Sequence, residues 1–169
     1  RLMQNASLPS RSELVRFSGT VWRILFADQS NAPFEAARAP AGRFHHSGQF
    51  AIYTSLTAEG CGVAIKRYVT ARDPARVILA LDVRNASLLD VTHNNEASMV
   101  WQDVHESGQP SPTWVFSDQA RAHNADGILY SSRSRPDLTH AVFFSADIFS
   151  GRINTCQPWP KATEPRLEE

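Results

Sequence analysis

Cysteine is nearly absent from this chain of 169 residues: Cys61 and Cys156 lie far apart and outside any C-x-x-C pair. Neither a disulfide framework nor a cysteine-based metal or redox site is indicated, and reduced thiols are the simplest reading. Net charge is missing too. The 17 basic and 17 acidic residues cancel to a formal +0, so no global field draws the protein to nucleic acid or to an anionic membrane. No apolar run approaches the roughly 20 residues that span a bilayer. The opening RLMQNASLPSRSE lacks the apolar core of a signal peptide, so the expected location is the cytoplasm. The six histidines show no zinc-ligand spacing, and adjacent His45 and His46 would point to opposite faces of an extended chain. No metal is expected.

What remains is the composition of a globular protein, 42% hydrophobic and 20% charged. The length fits one domain over residues 1–169, with a core at about 20–146 and peripheral ends at 1–12 and 157–169. Residues 20–26 (TVWRILF) and 51–55 (AIYTS) read as strands, and the Ala- and Pro-rich residues 31–42 between them as a loop. A helix is expected to start near Thr57, whose hydroxyl can cap free N–H groups, with Glu59 in its first turn. Cys61, Ala64, Ile65 and Tyr68 give it one apolar face. Residues 77–83 (VILALDV) are the strongest strand, central and covered on both faces. A short helix over 117–124 closes at Gly127, and two strands, 128–130 and 141–145, flank the polar turn 131–140. Without a regular βαβ repeat, the class is α+β.

Three polar clusters fall at strand ends or turns, where scaffolds commonly present function. In the first, 41–48 (AGRFHHSG), glycines allow close backbone approach and Arg43 offers a planar fork of donors for diphosphate or carboxylate. Tyr53 on the next strand offers a ring for a planar heterocycle. Arg43 as a surface ion-pair partner and Tyr53 as a core residue are the plainer alternatives. The second is Arg23, facing either solvent or a pocket. The third, 130–135 (YSSRSR), carries hydroxyls and guanidiniums suited to ribose and phosphate. His45 with Glu59 also forms a conceivable acid–base pair of a ribonuclease.

In order and spacing, Val21-Trp22-Arg23, Gly42-Arg43-Phe44 with Gly48, Ile52-Tyr53-Thr54-Ser55 and the run 128–135 (ILYSSRSR) resemble the RES domain of bacterial NAD-degrading or ADP-ribosylating toxins. That resemblance implies an ADP-ribosyltransferase-like fold in which small mixed or antiparallel sheets, flanked by helices, form an NAD cleft. It assigns Arg23 and Arg43 to the diphosphate, Tyr53 to stacking on nicotinamide, and Ser132 to the ribose or amide. The family glutamate falls where this chain has Ala64, and the nearest acid is Glu59, one turn earlier. Glu59 reads either as a helix N-terminal carboxylate worth about 0.3–1 kcal/mol through the dipole, or as the group that stabilises positive charge when nicotinamide leaves. Arg43, Glu59 and Ser132 are thus the catalytic candidates, with NAD as substrate. The resemblance further implies a cognate antitoxin bearing a helix-turn-helix domain. The alternative is an NAD- or nucleotide-binding module without turnover.

Overall fold

The strands arise where β-branched and aromatic residues concentrate, and the longest of them sets the architecture. In the computed structural model, which describes residues 13–160, β1 (Glu13–Phe26) and β3 (Arg76–Asp90) pair antiparallel from end to end, with Glu13 opposite Asp90 and Phe26 opposite Arg76. The other edge of β3 serves two neighbours. Its first half takes β6 (Phe149–Trp159) antiparallel, and residues 88–90 take β4 (Gly127–Ser131) in parallel. β4 then pairs with β5 (Thr139–Phe143), and β5 with β2 (Ile52–Ser55). β2 meets β1 through the single pair Trp22–Ser55. Five strands therefore close a barrel in the order β1-β2-β5-β4-β3, with β6 as an extension. The expected pair of small sheets is corrected to one sheet, because a strand as long as β3 bridges both groups.

Period-two alternation sorts the side chains. Leu79, Leu81, Leu88, Leu129, Ala141 and Phe143 form the barrel interior with Val21 and Ile52. Leu89, Ile128, Tyr130 and Val142 face the other way, onto Phe116 and Ala120 of α3 (Trp114–Ala122). A third cluster packs Cys61 and Ile65 of α1 (Ala58–Ile65) on Ile24, Ile78, Trp22 and Trp159. Each fully buried Leu, Ile or Phe contributes about 1.5–3 kcal/mol of hydrophobic stabilisation. Thr57 caps α1 as anticipated, its Oγ1 accepting the Gly60 N–H at 2.9 Å.

Several boundaries move. The helix expected over 117–124 starts at Trp114 and is ended by Asn124 in the left-handed region (φ 58°), not by Gly127, which opens β4. Only Cys61 and Ile65 of the anticipated α1 face enter an apolar cluster, while Ala64 and Tyr68 are exposed. The tail reading from 157 is corrected in part: Gln157, Pro158 and Trp159 pair with Ile78, Val77 and Arg76. Pro158 is tolerated because β6 is an edge strand. Residues 1–12 and 161–169 lie outside the described residues. Among the described residues no helix is long and apolar enough to cross a membrane.

Candidate functional site

A cavity of about 620 Å³ opens where the residue 37–45 loop, β2, α1, the segment leading into α2 (Gln102–Glu106), and the β4–β5 turn meet. That is the size of a small-molecule site. Its lining carries three arginines, Arg43, Arg67 and Arg133, and no Asp or Glu. A neutral chain thus holds a locally positive pocket.

The Gly42–His46 turn is held from two sides. α3 and the residue before it satisfy three successive carbonyls: Trp114 Nε1 donates to Gly42 O at 2.8 Å, Thr113 Oγ1 to Arg43 O, and Arg121 to Phe44 O at 3.2 Å. From β2, the Tyr53 hydroxyl accepts the Phe44 N–H at 2.9 Å and meets His45 Nδ1 at 2.8 Å. His45 Nε2 lies 2.8 Å from Ala39 O. A carbonyl only accepts, so Nε2 carries the proton and Nδ1 accepts from Tyr53. Both ring nitrogens of His45 and both capacities of the Tyr53 hydroxyl are therefore used by the scaffold. Burial, ahead of the nearby Arg121 and His46, lowers the His45 pKa and keeps the ring neutral. Burial likewise raises the pKa of Tyr53, so its hydroxyl stays protonated. The Tyr53 ring still faces the cavity.

Arg43 projects from this turn and spans the pocket wall, donating to Met99 O at 2.6 Å and Ala97 O at 3.2 Å through Nη1. Among the described residues no carboxylate pairs with it. Burial lowers its pKa from the usual value, partly offset by Tyr130, Tyr53 and Tyr68. A partly desolvated guanidinium without an anion is poised to accept one.

The β4–β5 turn brings the buried Ser132 to the same wall. Its Oγ accepts the Arg135 N–H at 3.2 Å, which leaves its own O–H free to donate into the cavity. Arg133 beside it is exposed. On the opposite wall, Tyr68, Trp101 and Gln102 add two aromatic rings and an amide. Gln102 Nε2 donates to the Tyr68 hydroxyl at 3.2 Å, and its Oε1 is buried without a partner. Ala64, where the family pattern has glutamate, also lines the cavity.

Arg43, Tyr53 and Ser132 thus converge. Arg23 and Glu59 do not line the cavity. Arg23 alternates with Val21 and Leu25 on the inward face of β1, 8% exposed, and donates to Pro33 O at 2.6 Å. Burial lowers its pKa to about 10, against the raising effects of Cys61 and Glu35. Through Pro33 it ties down the loop that carries Ala37, Ala39 and Ala41 to the cavity. Glu59 is exposed and pairs with Arg135 at 3.2 Å, while Arg135 also takes Asp137 in a bidentate grip. Sequence reading missed Arg67, Tyr68, Trp101, Gln102 and His140 as lining, whereas Tyr130 to Arg133 of the run 130–135 lie there. Among the described residues no His, Cys, Asp and Glu cluster is arranged to hold a metal ion.

Fold and site together define an α+β barrel protein with an arginine- and aromatic-lined cleft. The chain belongs to the RES-domain family, whose model matches residues 20–162. No curated protein matches the sequence. Among solved structures, it is similar to a chain in the crystal structure of the M. tuberculosis MbcT–MbcA toxin–antitoxin complex, at 19% identity and a TM-score of 0.64 over 86% of each chain. At that identity the likeness speaks for the fold.

Proposed function

We propose that this protein is the toxin of a toxin–antitoxin pair, acting in the cytoplasm, and that it binds NAD in the cleft and breaks the bond between nicotinamide and ribose. The observation that carries the reading is the convergence of Arg43, Tyr53 and Ser132 on one cavity whose lining includes three arginines and no acid. The arginines match the diphosphate, the Tyr53 and Tyr130 rings offer faces for nicotinamide, and the Ser132 hydroxyl donates to the ribose or carboxamide. Cationic nicotinamide is already a fair leaving group, so positioning and preorganised dipoles supply the catalysis without a metal. ADP-ribose then passes to water, phosphate or a protein side chain. An antitoxin with a helix-turn-helix domain would block the cleft; the toxin–antitoxin complex of the structural neighbour supports an antitoxin partner, not its domain type.

Purified protein incubated with NAD should release nicotinamide, and Arg43→Ala should weaken NAD binding by about tenfold to a hundredfold, the scale of a hydrogen bond to a charged group. No release by the wild type, or full release by Arg43→Ala, contradicts the proposal. A second reading rests on Ala64: without the family carboxylate, the cleft would bind NAD and not turn it over. Calorimetric binding with no nicotinamide release would favour it. A ribonuclease built on His45 and Glu59 is the weakest reading, since the two belong to different surroundings: the His45 nitrogens are committed to Ala39 and Tyr53, and Glu59 lies outside the cleft lining.

A further inference from the structure

The cleft wall contains a second buried histidine, and only one of its ring nitrogens is hydrogen-bonded among the described residues. His140 on β5 is 5% exposed and lines the cavity. Its Nδ1 lies 2.7 Å from Ser55 Oγ on β2, and Nε2 has no hydrogen-bond partner among the described residues. Behind Ser55 is Cys61 of α1, whose Sγ lies 3.4 Å from Trp22 O. A carbonyl only accepts, so the thiol donates to Trp22, and burial, which pushes the Cys61 pKa up to about 12, keeps that proton in place. A serine hydroxyl can accept from Nδ1–H, and in that tautomer the lone pair of the ring stands on Nε2, the nitrogen without a protein partner.

We propose that His140 is the proton acceptor of this cleft, its bare Nε2 taking the proton of the group that displaces nicotinamide, in place of the carboxylate missing at position 64. The proposal rests on the NAD-cleaving reading. With water as nucleophile, the C1′–N bond breaks and its electron pair goes to nicotinamide, which leaves neutral. The water oxygen bonds C1′, and its proton goes to Nε2 and then to solvent. In the Nδ1–H tautomer the ring is already paired with Ser55, so protonation at Nε2 leaves that hydrogen bond in place.

The surroundings set the strength of this base. Burial first, and the Arg43 charge second, lower the His140 pKa to about 4. The ring is neutral at pH 7 and about as basic as an ordinary carboxylate. Facing it are Arg43 from the turn, the buried Tyr130 of β4 at 5.3 Å between rings, Ser55 of β2 and, through Ser55, Cys61 of α1. None supplies a negative charge. A neutral imidazole accepts a proton as well as glutamate does, and does not stabilise the cationic ribose; slow turnover follows.

Two measurements decide the matter. In the wild-type protein, nitrogen-detected NMR of the histidine rings should show His140 as the Nδ1–H tautomer; an Nε2–H ring overturns the relay. In nicotinamide release, His140→Gln should lower kcat by about a hundredfold, the lower range of general base effects, with the calorimetric Kd for NAD within about threefold of wild type. Added imidazole should restore His140→Ala at least tenfold, which a merely structural role would not allow. Release unchanged in His140→Gln, or lost together with NAD binding, overturns the proton transfer and leaves the NAD reading standing. If the wild type releases no nicotinamide, the cleavage reading fails and takes the proton transfer with it, while the ring spectrum still decides whether Nε2 is the acceptor in the free cleft.

Discussion

His45 and His140 are both nearly sealed from solvent, both line one cavity, and both are pushed toward the neutral form, yet they differ in what is left over. His45 is held at both nitrogens, by Ala39 O and the Tyr53 hydroxyl. His140 is held at one. Burial and a shifted pKa therefore do not separate the two rings; a ring nitrogen without a protein partner does. The same accounting applies to the arginines. Arg135 is shared between Glu59 and Asp137, whereas Arg43 donates only to carbonyls and keeps its charge for a ligand.

The largest effect should come from breaking the His45 side. A Cβ at Gly42 would lie 2.6 Å from His45 Cε1 and 2.9 Å from the Tyr53 hydroxyl. Gly42→Ala should therefore cost roughly 2–3 kcal/mol through overpacking and displaced hydrogen bonds. A lowered Tm together with weakened NAD binding is the expected outcome. An unchanged Tm would mean that the His45–Tyr53 pair does not hold the turn.

Acid should distinguish the two rings next. Both native pKa values lie below the unfolded value of about 6.5. Between that value and the native ones, the unfolded chain binds protons that the native chain refuses. Stability contributed by His140 is therefore full above about pH 6.5 and is lost as pH falls toward about 4, and His45 acts in the same direction. Thermal melts across that window should show a decline that is shallower in His140→Gln. An undiminished slope would place the acid sensitivity elsewhere.

The smallest effect is expected at Glu59. Its ion pair with Arg135 is exposed on both sides, and such pairs are worth about 0–1 kcal/mol. Glu59→Gln should shift stability by less than about 1 kcal/mol and leave nicotinamide release within about twofold of wild type, since the side chain is not in the cleft. A collapse of release would restore Glu59 as the carboxylate of the reaction.

Much of this was legible in the chain itself, wherever a feature is local. The β3 run, the Thr57 cap and the arginine-glycine turn announce themselves through neighbouring residues. β6 does not: it is exposed almost throughout and includes Gly151 and Pro158, and only its pairing with β3 makes it a strand. β1 begins earlier than its apolar centre because Glu13 to Phe17 borrow order from the far end of β3. The site divides in the same way. Arg43, Tyr53 and Ser132 belong to short recognisable segments, while Tyr68, Trp101 and His140 become neighbours only when the barrel closes. Arg23 carries the right motif and points inward, because its place in the alternation of β1 puts it on the Val21 face.

The barrel is joined unevenly, with ladders of three or more residue pairs at four of its junctions and the lone Trp22–Ser55 pair at the fifth. A cylinder riveted along most joints and pinned at one gives way at the pin. The plank beside that pin is β2, which carries both Tyr53 and Ser55, so the wall that grips the turn and holds His140 is backed on one side by the thinnest joint of the cylinder.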